Sequence, residues 1–480
     1  MKRLPRPRFW WFVLFRLVNG ALTHTYGYPD EYWQAQEVAH RSVFGYGYLT
    51  WEWRERIRSI LHPWCFALAY QLAVLLRLDQ PALVQWMPTI LQAVVAAIGD
   101  WYTVRMARQW FTAGTAQWAM WFSLLSWCHW LHAPRTLANS MEMSLSTMAL
   151  YYWPWPVEFA KDAAHQMRLL AFGVMALADY YYYGEWTCVP YNFIHANVVR
   201  GVSLFYGQHP WHWYATQGVP TVLTTFLPLA IYGIRRASAV HRTAAYASIW
   251  LLGIYSMLAH KEFRFIYPIV PVGIIYAAYG AQHLWQSAAV QSSRTWRAAF
   301  IGAIVLPNLV LSLLFVSVHQ RGVLDAMDWL RQQPADKLSG IGYLMPCHST
   351  PFWSRLHRRI PMWFITCEPP TSASAMAEYK SEQDVFYADP AAFLNARLQT
   401  LDAQSLPREP ASTAELDRMA ERRWWPSHLL LFDALLPAVN ETLGAHGYHE
   451  CSRFFNSFFH DDERRIGDVL VYCTHAANDQ

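Results

Sequence analysis

The sequence predicts an all-α polytopic membrane protein of about eight to eleven transmembrane helices, followed by a soluble α+β domain. Three observations carry this expectation. Only 15% of the 480 residues are charged, against 54% hydrophobic and 16% aromatic, far below the roughly one-quarter usual in soluble domains. Apolar segments that span a bilayer, or nearly so, recur at about 63–77, 83–100, 116–132, 141–153, 166–180, 218–234, 245–259, 265–285 and 298–317. After about Val318 the chain turns polar and no run approaches the ~20 apolar residues a crossing helix needs.

Mean hydropathy is only +0.05, because 26 Trp and 27 Tyr score poorly on hydropathy scales while suiting membrane interfaces. The net charge of +4 is small and dispersed, which argues against a nucleic-acid partner. In chain order, the first apolar segment, 9–23, follows Lys2, Arg3, Arg6 and Arg8. A signal peptide has this general pattern. Arg16 and Asn19 inside the segment and the lack of a small-residue cleavage site favour a retained span. The basic start then stays cytoplasmic and the next loop lies in the lumen. Arg105 and Arg108 fall between two candidate spans, and the local topology there is not assigned.

That loop, 24–62, contains Tyr28-Pro29-Asp30-Glu31-Tyr32-Trp33-Gln34, then Trp51-Glu52-Trp53 and His62-Pro63. Two adjacent acids in a dense aromatic loop at a bilayer edge are the first candidates for chemistry. The domains expected are therefore a transmembrane catalytic domain over 1–317, with 24–62 as its first luminal loop, and a soluble domain over 318–480. In the latter, 341–345, 362–366 and 469–473 read as strands and 414–423 as a helix. Cys347, Cys367, Cys451 and Cys473 are compatible with two disulfides in any of three pairings, and none has zinc-ligand spacing. Asn440-Glu441-Thr442 is a glycosylation triplet that agrees weakly with a luminal tail.

The chain contains no P-loop, Rossmann glycine pattern, HExxH or nucleophile elbow, and no Asp-x-Asp pair in the polar domain. A nucleotide-driven site is therefore not expected, and substrates arrive through the membrane. His260-Lys261-Glu262-Phe263-Arg264-Phe265 lies between two apolar segments. On a helix, Lys261 and Arg264 share a face suited to an anion. A positive stop at a span end explains a lone cation, whereas this packed set favours function. Arg135, Asn139 and Glu142 fall on one helical face, as either a structural network or a substrate face. His209-Pro210-Trp211-His212-Trp213-Tyr214 sets imidazoles among rings; an interfacial belt or a sugar-stacking surface accounts for them equally. His62 either caps a span or contributes to binding.

These motifs resemble a known family. Pro29-Asp30-Glu31 with Trp33-Gln34, Phe44-Gly45-Tyr46-Gly47, Leu49-Thr50-Trp51-Glu52-Trp53, Ile57-Arg58-Ser59, His62-Pro63, and the segment from His260 to Phe265 with Pro268 and Pro271 look like the dolichol-phosphate-mannose-dependent mannosyltransferases. The resemblance implies a GT-C architecture, a multi-pass location in the endoplasmic reticulum membrane and a luminal active site. Tyr182-Tyr183-Gly184-Glu185-Trp186, Pro190-Tyr191-Asn192-Phe193, the His209 to Tyr214 segment, the stretch from Leu344 to Pro351, and Phe386-Tyr387-Ala388-Asp389-Pro390 are more like one branch. That branch adds the third mannose of the glycosylphosphatidylinositol (GPI) core in α-1,2 linkage.

The resemblance also implies a mechanism. A β-linked donor and an α-linked product require inversion, with one general base for the acceptor hydroxyl. Asp30 is assigned as base, with Glu31 the close alternative or an acceptor-positioning partner. Lys261, Arg264 and His260 would stabilise the leaving phosphate, with Arg58 and Arg135 as helpers. Trp51, Trp53, Trp211, His62, His209 and His212 would line the substrates. No step calls for a metal or cofactor. The rival readings are a sibling enzyme acting on the dolichol-linked N-glycan precursor or adding a fourth glycolipid mannose, and, from another class, a lipid transporter or nonenzymatic subunit.

Overall fold

A computed structural model describes residues 8–153, 161–370, 378–400 and 412–474. Lys2, Arg3 and Arg6 of the basic start lie outside the described residues. The chain forms two compact units, one of Met1–Thr23 with Thr89–Val316 and one of His24–Pro88 with Ser317–Gln480. The second unit takes in the acid-bearing loop together with the polar C-terminal part.

The first unit is helical. Helix Phe9–Leu22 carries a charge in an apolar stretch, and the fold supplies its partner. Arg16, fully buried, grips Asp100 through Nε (2.6 Å) and Nη2 (2.9 Å). Its other donors reach Asn19 Oδ1 at 2.9 Å and the carbonyl of Ser123 at 3.2 Å. Removing a charge from water costs several kcal/mol unless it is paired and bonded on all sides. The core of the unit is helix Val270–Trp285, which packs against helices Phe226–Arg236 and Ala113–Leu125. The first of these contacts is backbone to backbone: a Cβ on Gly233 would stand 2.0 Å from the Tyr276 carbonyl oxygen, and one on Gly280 2.2 Å from that of Leu229. Small residues permit such close crossings in membrane bundles.

Among the described residues, three helical stretches are long and apolar enough to cross a membrane: Pro81–Trp110, Phe263–Trp285 and Arg294–Gln332. A fourth is possible if the pair Tyr214–Leu223 and Phe226–Arg236, bent by 102°, forms one broken span. This is fewer than the eight to eleven expected. Several apolar windows are divided in the structure. The run at 116–132 breaks at Ser126, whose hydroxyl accepts from the His129 N–H and starts a new helix, Trp127–His132. Phe9–Leu22 and Leu61–Leu75 are apolar but shorter.

The second unit is built on a five-stranded sheet of β1 (Ile341–Leu344), β2 (Met362–Phe364), β3 (His428–Phe432), β4 (Tyr448–Phe454) and β5 (Val469–Thr474). Their order is β2-β1-β3-β5-β4. β1 runs parallel to β2 and β3, while β5 is antiparallel to β3 and β4. All three predicted strands are present, as is the helix, at Thr413–Glu421. The strands not predicted are β3 and β4. His428-Leu429-Leu430-Leu431-Phe432 is buried along its whole length and shows none of the alternation that marks a half-exposed strand. β4 carries Glu450 and Arg453 at the sheet edge. Disulfides join Cys347 to Cys367 and Cys451 to Cys473, the second linking β4 to β5. Asn440 is exposed on helix Leu436–Ala445.

Arg16→Ala leaves Asp100 as a buried unpaired charge. The expected cost is about 3–5 kcal/mol, read as a large fall in thermal stability in detergent. The double variant Arg16→Leu/Asp100→Leu should recover most of it. A single variant as stable as the parent would refute this role.

Candidate active site

The acid loop is held open at one end and buried at the other. Residues Glu31–Gln36 wind as a π-helix, with Asp30 just before its first turn. Such wide turns recur at functional sites. Asp30 is half-buried, whereas Glu31 is only 3% exposed. The Asp30 carboxylate lies close enough to His348 to act on its ring electrostatically, although burial dominates and lowers that imidazole to about 4. His348 sits with φ of +56°, in the left-handed region, beside Cys347 of the first disulfide.

Three residues of the loop fasten it to the segment 348–354. Tyr26 Oη donates to the His348 carbonyl at 2.5 Å, and Trp33 Nε1 donates to that of Thr350 at 2.9 Å. The Trp33 ring lies 4.4 Å from the His348 ring and 4.8 Å from Phe364. Glu37, fully buried, accepts from the Ser354 N–H at 2.6 Å and the Tyr48 N–H at 3.2 Å. Sequence reasoning passed over Glu37 and met His348 only as part of the Leu344 to Pro351 stretch, not as a site residue. Glu37 lies one π-turn past the DE pair, and its burial was the missing information. Cys347, His348 and Cys367 come within 4.8 Å of one another, but the two sulfurs bond each other, which leaves a single nitrogen ligand.

Glu52 organises the other side of the loop. Its carboxylate accepts from Thr50 Oγ1 (2.6 Å), Gln34 Nε2 (2.7 Å) and Arg58 Nη2 (3.0 Å). Arg58 is therefore partnered by an acid of its own unit. Trp53 is buried at 3% exposure and Trp51 is half-buried beside it, so Trp51 is the better placed to meet a ligand. His62 opens helix Leu61–Leu75, with its ring 5.1 Å from Phe66.

The cationic segment belongs to the first unit, and here the geometry corrects the sequence reading. Lys261 and Arg264 do not share a helical face. The helical turn begins only at Phe263, after Glu262 in extended conformation (φ −138°). Lys261 is buried, and its ammonium donates to the carbonyls of Leu258 and, at 3.0 Å, His209. Three donors on one ammonium suit it to gather backbone carbonyls. Glu262 is the hub: Arg264 grips it in bidentate fashion at 2.6 and 2.7 Å, and His260 Nε2 lies 3.0 Å away. Burial pushes its carboxyl up, but the charge and bonds of Arg264 and His260 outweigh this and hold it at about 2. Burial likewise lowers His260, and Glu262 reverses the sign to a net rise. A half-buried imidazole, its pKa raised by Glu262, and a guanidinium are thus held side by side on one carboxylate, an arrangement suited to an anion.

The His209–Tyr214 stretch joins this site through the Lys261 bond and the His260 Nδ1 contact to the Gly207 carbonyl at 3.1 Å. His209 stacks on Trp213 at 4.7 Å, while Trp211 is 75% exposed and His212 exposed beside it. Arg135 does not share the predicted face with Asn139 and Glu142, because helix Ala138–Tyr152 starts after it. It folds back, buried, to the Leu131 carbonyl at 2.9 Å, whereas Asn139 and Glu142 contact each other at 3.5 Å.

The fold resembles that of ArnT from Cupriavidus metallidurans bound to undecaprenyl phosphate, with a TM-score of 0.51 at 12% identity over 98% of both chains. The likeness is one of fold: a mostly helical, GT-C-like architecture. The sequence matches the Alg9-like mannosyltransferase family over residues 8–175 and 162–357, and the chain belongs to that family of enzymes. It is 35% identical to GPI alpha-1,2-mannosyltransferase 3 of Danio rerio over 96% of this chain and 88% of that one. It is 36% identical to GPI mannosyltransferase 3 of Yarrowia lipolytica over 95% of each, and 34% identical to the Homo sapiens GPI alpha-1,2-mannosyltransferase 3 over 96% and 85%. The family expected from the motifs is the family found.

Burial, acting against the Ser354 and Tyr48 hydrogen bonds, raises the Glu37 carboxyl from 4.5 to about 7. The folded chain therefore keeps a proton that the unfolded chain releases. This contribution is fully present below about 4.5 and is lost as pH rises through about 7, by about 3 kcal/mol in all. Buried imidazoles such as His40 and His348, both lowered chiefly by burial, titrate in the opposite sense. The readout is therefore the difference from Glu37→Gln: the variant should gain on the parent between these two pH values. Parallel unfolding curves would contradict it.

Proposed function

We propose that the protein transfers mannose from dolichol-phosphate-mannose to a GPI precursor, adding the third mannose in α-1,2 linkage with inversion. The near-full-length similarity to GPI mannosyltransferase 3 proteins carries this reading, and the acid loop and anion-suited cluster are consistent with it. The enzyme works as a multi-pass protein of the endoplasmic reticulum membrane with its active site on the luminal side. In domain terms, residues 1–317 contain the transmembrane catalytic part and 318–480 a luminal domain. No nucleic acid takes part.

Asp30 is the general base. A base must touch the hydroxyl it deprotonates, and of the two adjacent acids Asp30 is half-buried while Glu31 is almost wholly enclosed. Glu31 then shapes the loop or orients the acceptor. As the acceptor oxygen attacks the anomeric carbon, the bond to phosphate breaks and the leaving group carries its own negative charge. His260 and Arg264 stabilise that charge; Glu262 raises the basicity of His260 and holds both side chains in place until the donor arrives. Lys261 contributes charge and anchors the His209 segment to the same site. Arg58 and Arg135, each bonded within its own surroundings, act as supporting residues. Trp51, Trp211, His62, His209 and His212 line substrate surfaces, with buried Trp53 behind Trp51.

Asp30→Asn should reduce mannose transfer to background in purified, folded protein, while Glu31→Gln should retain measurable turnover. Near-parental activity of Asp30→Asn would overturn the assignment. Loss of the gene should accumulate a two-mannose glycolipid. A truncated N-glycan precursor would instead support the sibling reading.

Arg264→Lys loses the bidentate grip on Glu262 and one phosphate-facing fork. It should lower kcat at least ~10-fold with folding intact, measured with saturating acceptor. Unchanged kcat would place the phosphate elsewhere.

A further inference from the structure

The connection between β4 and β5 runs from 455 to 468, and its first part presents three large aromatic side chains to the outside. Phe455 is 41% exposed, Phe458 78% and Phe459 46%, with the Phe455 and Phe458 rings 5.0 Å apart. Between them Asn456 and Ser457 are buried, at 1% and 9% exposure. The loop is thus pinned at its middle and aromatic at its rim. An exposed apolar cluster of this kind marks a contact surface.

The pins determine where the cluster lies. Arg321 N–H donates to the Asn456 carbonyl at 3.2 Å, His319 Nδ1 contacts Ser457 Oγ at 2.7 Å, and the His319 ring stacks on Phe459 at 4.5 Å. Gly322 lies so close that a Cβ there would stand 2.8 Å from the Phe455 carbonyl oxygen. Residues 319–322 directly follow helix Arg294–Ser317. That helix lies in the most apolar of the span-length stretches, with a mean hydropathy of 2.4 and only 22% of its window buried. Leu306, Leu309, Val310 and Leu313 form an exposed apolar stripe along it. Only Val318 lies between Ser317 and His319, a chain length of at most ~7 Å. The aromatic rim is therefore held close to the C-terminal end of that helix.

We infer that residues 455–459 are a membrane-contact loop: Phe455, Phe458 and Phe459 enter the lipid leaflet at the C-terminal end of helix Arg294–Ser317 and seat the sheet-bearing unit on the bilayer. The partner is the lipid surface. Aromatic rings favour the interfacial zone, and three Phe side chains without polar tips suit its acyl side. The inference needs only that the helix crosses the membrane and does not depend on the acceptor.

The test places a nitroxide at Phe458→Cys in the full-length protein in phosphatidylcholine nanodiscs, with Cys65 and Cys188 replaced by Ser. Collision rates with oxygen and with a water-soluble nickel chelate are compared with those of Asn440→Cys, on an exposed helix of the same unit. At 458 the oxygen-to-nickel ratio should be several-fold higher than at 440. Equal ratios would mean a solvated loop. Low access to both reagents would mean a protein cover. Either result overturns the inference. Phe455→Cys supplies an independent second site with the same expected outcome.

Discussion

Two hydrogen bonds from Tyr26 and Trp33 to the carbonyls of His348 and Thr350 tie the acid loop to the C-terminal part of the second unit. A loop that carries two adjacent carboxylates has few local ways to satisfy its backbone and hold its shape. Here the partners come from more than 300 residues away in sequence. Trp33 fills the space between His348, Phe352 and Phe364, while buried Glu37 accepts the Ser354 N–H. The Cys347–Cys367 bond closes the chain immediately beside His348. The π-helical turn after Asp30 is thereby fixed at its base by the C-terminal part of the protein.

The same requirement, that a charge out of bulk water find its partners, governs the first unit. Arg16 and Asp100 neutralise each other inside the bundle. Glu262 gathers Arg264 and His260, and Lys261 gathers carbonyls. The difference between the two sites is exposure. The Arg16 pair is sealed at 0% and 1%, so it can only hold helices together. The Glu262 hub is partly open, at 25% for its carboxylate, so an incoming anion can compete for its cations. The two charge clusters thus use one chemistry and differ in access.

The motifs were legible because they are local. The DE pair, the HKEFRF segment and the His-Trp-rich stretch each occupy a few consecutive residues, and together they identified the family. The strand β1 and the helix at Thr413–Glu421 showed in their patterns for the same reason. β3 did not, since a strand buried on both faces has no alternation to read. The helical face drawn through Lys261 and Arg264 also failed: propensity allowed a helix there, but extended Glu262 turned its carboxylate onto the neighbouring cations.

By itself the sequence determined the class of the protein: apolar periodicity, the polar C-terminal part and short-range motifs follow from residue type and spacing alone. The tertiary structure decided which residues these motifs work with. His348 lay inside a recognised motif and Glu37 just beyond one, but neither stood out by residue type; burial gives them their properties. It also decided which of two adjacent acids meets solvent. Neighbouring positions have the same composition and local pattern, and only the packing of the surrounding chain makes one of them accessible.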